Sequence, residues 1–179
     1  TRMTGRKKYV MKILLVEDSE TDADLLERLG VELFKIPSGE ITNMPLLRHV
    51  ARKGKPIILS TGMSTLVEVD DAVEVIVKEG NERLILLHCV TAYPAPLEEI
   101  NLKAMCTLAS HCKKIVGYSD HTLGDQACLA AVALGARVIE KHLTLDKNLP
   151  GPDHRASMEP EEFKDMVLRI RDIEQALGD

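Results

Sequence analysis

Aromatic residues are scarce in this sequence, and tryptophan is absent. Phe, Trp and Tyr together make up 3% of the 179 residues, so a hydrophobic core has to be built from aliphatic side chains. No apolar run is long enough for a membrane span, and the formal net charge of −5 implies no broad basic surface. We therefore expect neither a membrane nor a nucleic acid as a partner.

Paired cysteines are also lacking. No C-x-x-C pair occurs, which argues against a zinc site and against a disulfide framework. The four cysteines are scattered along the chain at Cys89, Cys106, Cys112 and Cys128. Unpaired thiols are typical of a reducing compartment, so we predict a cytoplasmic protein.

What the sequence does have is a repeated alternation of short apolar runs and helical patterns. The apolar runs are residues 12–16, 33–36, 56–59, 83–87, 114–117 and 137–140. Such runs are typical of parallel strands covered on both faces, and the repeats predict an α/β fold with about six parallel strands. Two architectures stay open, a doubly wound sheet and a (βα) barrel. Because a complete barrel needs about 250 residues, a barrel built from this chain would be partial or rearranged.

Polar side chains gather where these runs end. Ligands of parallel βα proteins bind beyond the carboxyl ends of the strands. The residues at those ends include Lys35, Ser38, Ser60 and Ser119. One cation and several hydroxyls can hold a phosphate or a carboxylate, so we predict an anion site there.

Two histidines indicate a metal site at the same end. Glu140 and His142 stand two residues apart at a strand end, so their side chains point to one face. His121 ends the preceding strand. Two imidazoles and a carboxylate that converge at one mouth predict a divalent metal site with open positions.

Several long motifs occur in the order and at the spacing of one known family. They are FKIPSGEITNMPLL, KPIILSTGMSTLVEV, HCVTAYPAPLEEINLKAM, VGYSDHTLG and VIEKHLTLDKNLPGPDHRASMEP. From Gly30 onward the chain resembles the N-acetylneuraminate (sialic acid) synthase family. The resemblance implies a TIM-type (βα) barrel that condenses phosphoenolpyruvate with N-acetylmannosamine or a related N-acyl amino sugar. It also implies a divalent metal, which we expect to be Mn²⁺, with Mg²⁺ as the alternative.

The same resemblance assigns a role to each candidate residue. The metal ligands would be His121 and His142. Phosphoenolpyruvate would be held by Lys35, Ser38, Ser60, Ser119 and Thr91, the last at a position where some members have Asn. The catalytic residues that contact the sugar would be Tyr93, Glu140 and Asp153.

The sequence departs from the family pattern at its start and at its end. The opening E-I-G-x-N-H-type motif and the C-terminal antifreeze-like domain are not found, so we expect a poor catalyst by itself. Residues 1–10 are expected to be a disordered leader, and residues 11–179 a single domain. Within it, residues 11–29 resemble the start of a response-regulator receiver domain, where Glu17 and Asp18 would help to bind magnesium. The alternative function is therefore a non-catalytic engineered βα chimera.

The two outer strands of the predicted sheet lead to an expectation about the oligomeric state. Strands near residues 13–16 and 138–140 would be the outer strands of an incomplete barrel. Unpaired backbone groups on apolar outer strands invite association, and joining two chains is a low-cost way to cover them. We therefore expect a homodimer.

Overall fold

The computed structural model describes residues 13–15 and 19–178, so the predicted leader and the acidic pair Glu17 and Asp18 lie outside the described residues. Within that part of the chain, strands and helices alternate. The strands are β1 (Ile13–Leu15), β2 (Leu33–Ile36), β3 (Ile57–Ser60), β4 (Leu84–Cys89), β5 (Ile115–Asp120) and β6 (Ile139–Lys141). The α-helices are α1 (Glu20–Arg28), α2 (Met44–Arg52), α3 (Leu66–Lys78), α4 (Lys103–Cys112), α5 (Gln126–Ala133) and α6 (Pro160–Leu177).

Over the described residues, the six strands form one parallel sheet whose order follows the sequence, β1-β2-β3-β4-β5-β6. A doubly wound sheet reverses its order at a switch point, and this sheet does not. Because parallel crossovers are right-handed, a sequential order places the helices on one face. The other face then becomes the inside of a barrel. The prediction of a partial (βα) barrel with about six parallel strands is confirmed.

A single contact demonstrates how strongly the sheet curves. Neighbouring strands lie about 4.8 Å apart, so β2 and β6 would be about 19 Å apart in a flat sheet. The ammonium nitrogen of Lys35 on β2 nevertheless lies 3.4 Å from a carboxylate oxygen of Glu140 on β6. Two side chains of this length can meet only if the sheet curls toward a closed barrel.

The strand residues divide between two apolar clusters according to the face on which they lie. Phe34, Leu59 and Leu86 belong to the larger cluster, between the sheet and the helices. Leu33 and Leu87 belong to a small cluster inside the curved sheet. The inner cluster fills the inside of the curved sheet below the carboxyl ends of the strands. Those ends are therefore free to carry polar side chains.

Glycine is required at one point of this inner face. A Cβ atom on Gly117 of β5 would lie 2.3 Å from the carbonyl oxygen of Val138 and 2.7 Å from Cδ2 of Leu87. No real side chain tolerates such contacts, so the absence of a side chain lets β5 approach β6 closely.

Local signals in the sequence fix several helix ends. The hydroxyl of Thr65 accepts a hydrogen bond from the backbone N–H of Glu68, and the Glu68 side chain accepts from the N–H of Thr65. This capping box begins α3. Pro160 begins α6 with a backbone already suited to the first helical turn. Among the residues placed by the structure, no helix is both long and apolar enough to cross a membrane.

Candidate active site

A cavity of about 330 Å³ lies at the carboxyl ends of the strands. It brings together every predicted site residue except Asp153, although these residues come from β2 to β6 and the segments that follow them. The predicted residues that line it are Lys35, Ser38, Ser60, Thr91, Tyr93, Ser119, His121, Glu140 and His142. The expectation that the strand ends converge on one mouth is therefore met by the geometry.

Asp153 lies outside this lining. It is exposed and precedes the short 3-10 helix His154–Ala156, and its backbone carbonyl accepts the Ser157 hydroxyl at 2.8 Å. Its charge still reaches the cavity. Partial burial is the largest cause of a raised pKa at the Tyr93 phenol, and the negative charge of Asp153 contributes to the same shift.

Lys35 is a buried cation with weak partners. Only 4% of the residue is exposed. Its ammonium nitrogen lies 3.4 Å from the carbonyl oxygen of Ile36 and 3.4 Å from Glu140 Oε2, longer than an ordinary charged hydrogen bond. An ammonium group has three N–H donors, so Lys35 retains the capacity to bind an anion in the cavity.

The hydroxyls around Lys35 differ in how they are satisfied. Ser119 donates to Glu140 Oε1 at 2.6 Å, which fixes one carboxylate oxygen at the cavity wall. Ser60 is buried, and its hydroxyl has no hydrogen-bond partner; within the described chain, Thr122 is the other such buried hydroxyl. Buried polar groups are normally paired. Ser60 lines the cavity, so its hydroxyl is a candidate hydrogen-bond donor to a ligand there.

Cys89 and Gly62 belong to the site, although neither was predicted. The Ser38 hydroxyl accepts from the backbone N–H of Gly62 at 2.9 Å and lies 3.1 Å from the Cys89 sulfur. Burial is the main cause of the raised pKa of the Cys89 thiol, so the thiol stays protonated. The signal available in the sequence was period-two alternation, because Cys89 points to the same face as Leu87.

His121 is held in one orientation and one tautomer. Its Nδ1 donates to the carbonyl oxygen of Val90 at 2.6 Å, which leaves the lone pair of Nε2 free. Burial is the largest cause of its lowered pKa, so the ring is neutral near pH 7. A neutral imidazole with one nitrogen fixed by a backbone carbonyl is the usual form of a metal-binding histidine.

The rings of His121, His142 and Tyr93 lie close together. The ring centroids of His121 and His142 lie 5.3 Å apart and nearly perpendicular. Tyr93 covers His121 with centroids 4.2 Å apart and meets the edge of His142 at 5.6 Å. Two imidazoles are donors that divalent transition metals accept, although residues 19–178 contain no preformed group of three acidic, His or Cys ligands.

A second cavity, of about 420 Å³, lies between α3 and α4. It is lined by polar side chains such as Lys103 as well as apolar ones such as Val69 and Leu108, and none of the predicted site residues borders it. Cys89 lines both cavities. The chemistry of the strand ends, rather than cavity size, therefore identifies the candidate active site.

Comparisons with known proteins give one consistent family. A family model described as the NeuB family matches residues 12–179. The N,N'-diacetyllegionaminic acid synthase of Campylobacter jejuni is 58% identical over 158 residues, which cover 87% of this chain and 47% of that enzyme. The human N-acetylneuraminate-9-phosphate synthase is 40% identical over 160 residues, which cover 89% of this chain and 44% of that enzyme. The chain therefore spans about half the length of the curated relatives it matches.

A solved structure agrees with these matches. The spore coat polysaccharide biosynthesis protein SpsE of Bacillus subtilis is similar with a TM-score of 0.89 at 44% identity, over 96% of this chain and 48% of that one. The family match includes residues 12–29. The interpretation as an engineered chimera has no support from these comparisons.

The geometry at Gly62 generates a prediction about anion binding. A Cβ atom there would lie 2.7 Å from the Cys89 sulfur and 2.9 Å from the Ser38 hydroxyl, so Gly62→Ala must displace Ser38. We expect the affinity for inorganic phosphate, measured by calorimetry, to fall about tenfold, the effect of one lost hydrogen bond to a charged group. Adding Cys89→Ala should recover part of the loss because it removes the nearest atom. Unchanged affinity in Gly62→Ala would show that Ser38 does not contact the anion.

Proposed function

Because the chain belongs to the NeuB family, we propose that its strand-end cavity binds phosphoenolpyruvate and condenses it with N-acetylmannosamine or a related N-acyl amino sugar. The observation that carries this proposal is the pairing of a buried, weakly partnered Lys35 ammonium with the unpartnered hydroxyl of Ser60. Both groups face one cavity. A small polyanion satisfies them together, whereas an uncharged ligand would leave Lys35 with the long contact to Glu140 as its ionic partner.

The proposed reaction forms a carbon–carbon bond and releases phosphate. C3 of phosphoenolpyruvate attacks the aldehyde carbon of the open-chain sugar, water adds at C2, and the C2–O–phosphate bond breaks to give inorganic phosphate. The residues proposed to hold the trianionic substrate are Lys35, Ser38, Ser60, Thr91 and Ser119. Fixed donors in a site that excludes water stabilise such charge at no cost of reorganisation.

His121 and His142 are the proposed ligands of the divalent metal. The neutral ring of His121 and the free lone pair of its Nε2 support this assignment. A bound Mn²⁺ or Mg²⁺ ion would act as a Lewis acid on the aldehyde oxygen. Manganese stays our first choice, on the resemblance alone.

The sugar is proposed to bind in the same cavity, next to phosphoenolpyruvate. Glu140, whose Oε1 accepts from Ser119, still has lone pairs for sugar hydroxyls, and the exposed ring of Tyr93 offers a face and a phenol. Asp153, in the segment between β6 and α6, would also contact the sugar. The matched relatives are synthases of different N-acetylated sugar acids, so we propose an N-acyl amino sugar as the substrate class. The cytoplasmic location is likewise still a prediction.

The phosphoenolpyruvate assignment predicts a large effect at Lys35. In calorimetry with phosphoenolpyruvate, Lys35→Met should weaken binding about 10- to 100-fold, since a charged hydrogen bond is lost from a buried site. Lys53→Met is a matched control. The Lys53 side chain is also buried, at 7% exposure, but it pairs with Asp24 and Glu27 of α1. The Lys53→Met variant should therefore bind phosphoenolpyruvate as tightly as the unsubstituted chain. Equal losses in both variants would refute a specific role for Lys35.

We also propose a homodimer. The motivation is that β1 and β6 are the outer strands of the sheet and each has one partner strand among the described residues. One chain has a mass of 19.8 kDa. Light scattering at micromolar concentration should give twice that mass. A monomer that is stable on concentration would refute it.

A further inference from the structure

A buried ion pair lies behind the two histidines, on the helix side of the sheet. Asp120 at the end of β5 and Lys141 at the end of β6 are partners in the parallel register. Their charged atoms are 2.8 Å apart, and both side chains are 0% exposed. Each is followed in sequence by one of the histidines, His121 and His142, that line the cavity on the other side.

This ion pair links Asp120 and Thr122, the two residues on either side of His121. Asp120 Oδ1 accepts from the backbone N–H of Thr122 at 2.9 Å. The Lys141 ammonium donates both to Asp120 Oδ2 and to the backbone carbonyl of Thr122. The Cys128 thiol on α5 donates to Asp120 Oδ2 at 3.1 Å. The turn that carries His121 is therefore tied to α5 and to β6, whose last residue, Lys141, precedes His142.

Stability alone gives little reason for an ion pair at this position. Replacing a buried pair by apolar side chains of similar size is often neutral or stabilising, because both charges lose their hydration on burial. An apolar pair would fill the space between β5, β6 and α5 equally well. It could not bind the backbone N–H and the carbonyl of Thr122. These two bonds act together with the bond from His121 Nδ1 to the Val90 carbonyl to fix where His121 lies.

We propose that Asp120 and Lys141 are positioning residues that hold His121 and His142 side by side, at the 5.3 Å ring separation of the structure. The inference rests on the proposed function where it treats the two histidines as metal ligands. The charged groups of the pair meet beside α5, on the helix side of the sheet, although Lys141 is also among the residues that line the cavity. The pair sets the distance between two ligands that directly follow different strands, β5 and β6.

The test uses the neutral double variant Asp120→Leu/Lys141→Met, which removes both charges together and fills the same space. In the metal-free chain, proton NMR of the unsubstituted protein should give a cross-peak between the ring protons of His121 and His142. We expect the double variant to unfold at nearly the same temperature but to lose this cross-peak. Its affinity for Mn²⁺ alone should fall about 10- to 100-fold, as for other groups that orient metal ligands.

Two further variants keep the result interpretable. Glu82→Gln/Lys114→Met removes an ion pair of 2.6 Å near the amino ends of β4 and β5, and it should leave the cross-peak and the Mn²⁺ affinity unchanged. Asp120→Asn/Lys141→Met is neutral but keeps an acceptor for the Thr122 N–H, so its cross-peak should be weakened rather than lost. If the first double variant does not fold, this weakening becomes the deciding measurement.

The outcomes separate the two hypotheses. A cross-peak of full strength in the folded neutral variants would overturn the positioning inference, and so would its absence from the unsubstituted chain. If the cross-peak behaves as expected while Mn²⁺ binds to none of the proteins, the positioning inference stands and the metal assignment is wrong.

Discussion

The curvature of the parallel sheet is the constraint on which the rest of the structure depends. The contact between Lys35 on β2 and Glu140 on β6 requires strands four positions apart to approach one another. The same curvature collects hydroxyls, a thiol and two imidazoles from the carboxyl ends of β2 to β6 and the segments that follow them into one cavity. Side chains alternate between the two faces of each strand, so a single register decides which polar groups enter the cavity and which face the helices.

The electrostatics of the cavity follow from this arrangement. Burial keeps the Cys89 thiol protonated and the His121 ring neutral, which leaves Lys35 as a cation whose neighbour Glu140 is already engaged by Ser119. The combination favours a small anion near Lys35 and a metal near the histidines. On the outer face, Asp120 and Lys141 neutralise each other, so their charges add little to the field in the cavity.

The sequence predicted the strand ends better than it predicted how they are held. Each apolar run became a strand, and the polar residues after them line one cavity, because both features are local in the chain. The strand limits differ from the prediction. Residues 114–117 were predicted, whereas β5 extends over Ile115–Asp120, because Ser119 and Asp120 pair with β6. Curvature was left open by the pattern of apolar runs, and only the family resemblance implied a barrel. Gly62, Cys89 and the pair of Asp120 with Lys141 were missed because their partners are 21 to 51 residues away in sequence, and no local pattern records such contacts.

The central claim is that this cavity is an anion site organised by Lys35 and Ser60. A crystal of the chain soaked in phosphoenolpyruvate tests it most directly. The account predicts ligand density in the cavity, with phosphate or carboxylate oxygens within hydrogen-bond distance of Lys35 Nζ and Ser60 Oγ. Phosphoenolpyruvate bound elsewhere on the molecule, with the Ser60 hydroxyl still unpartnered, would contradict it.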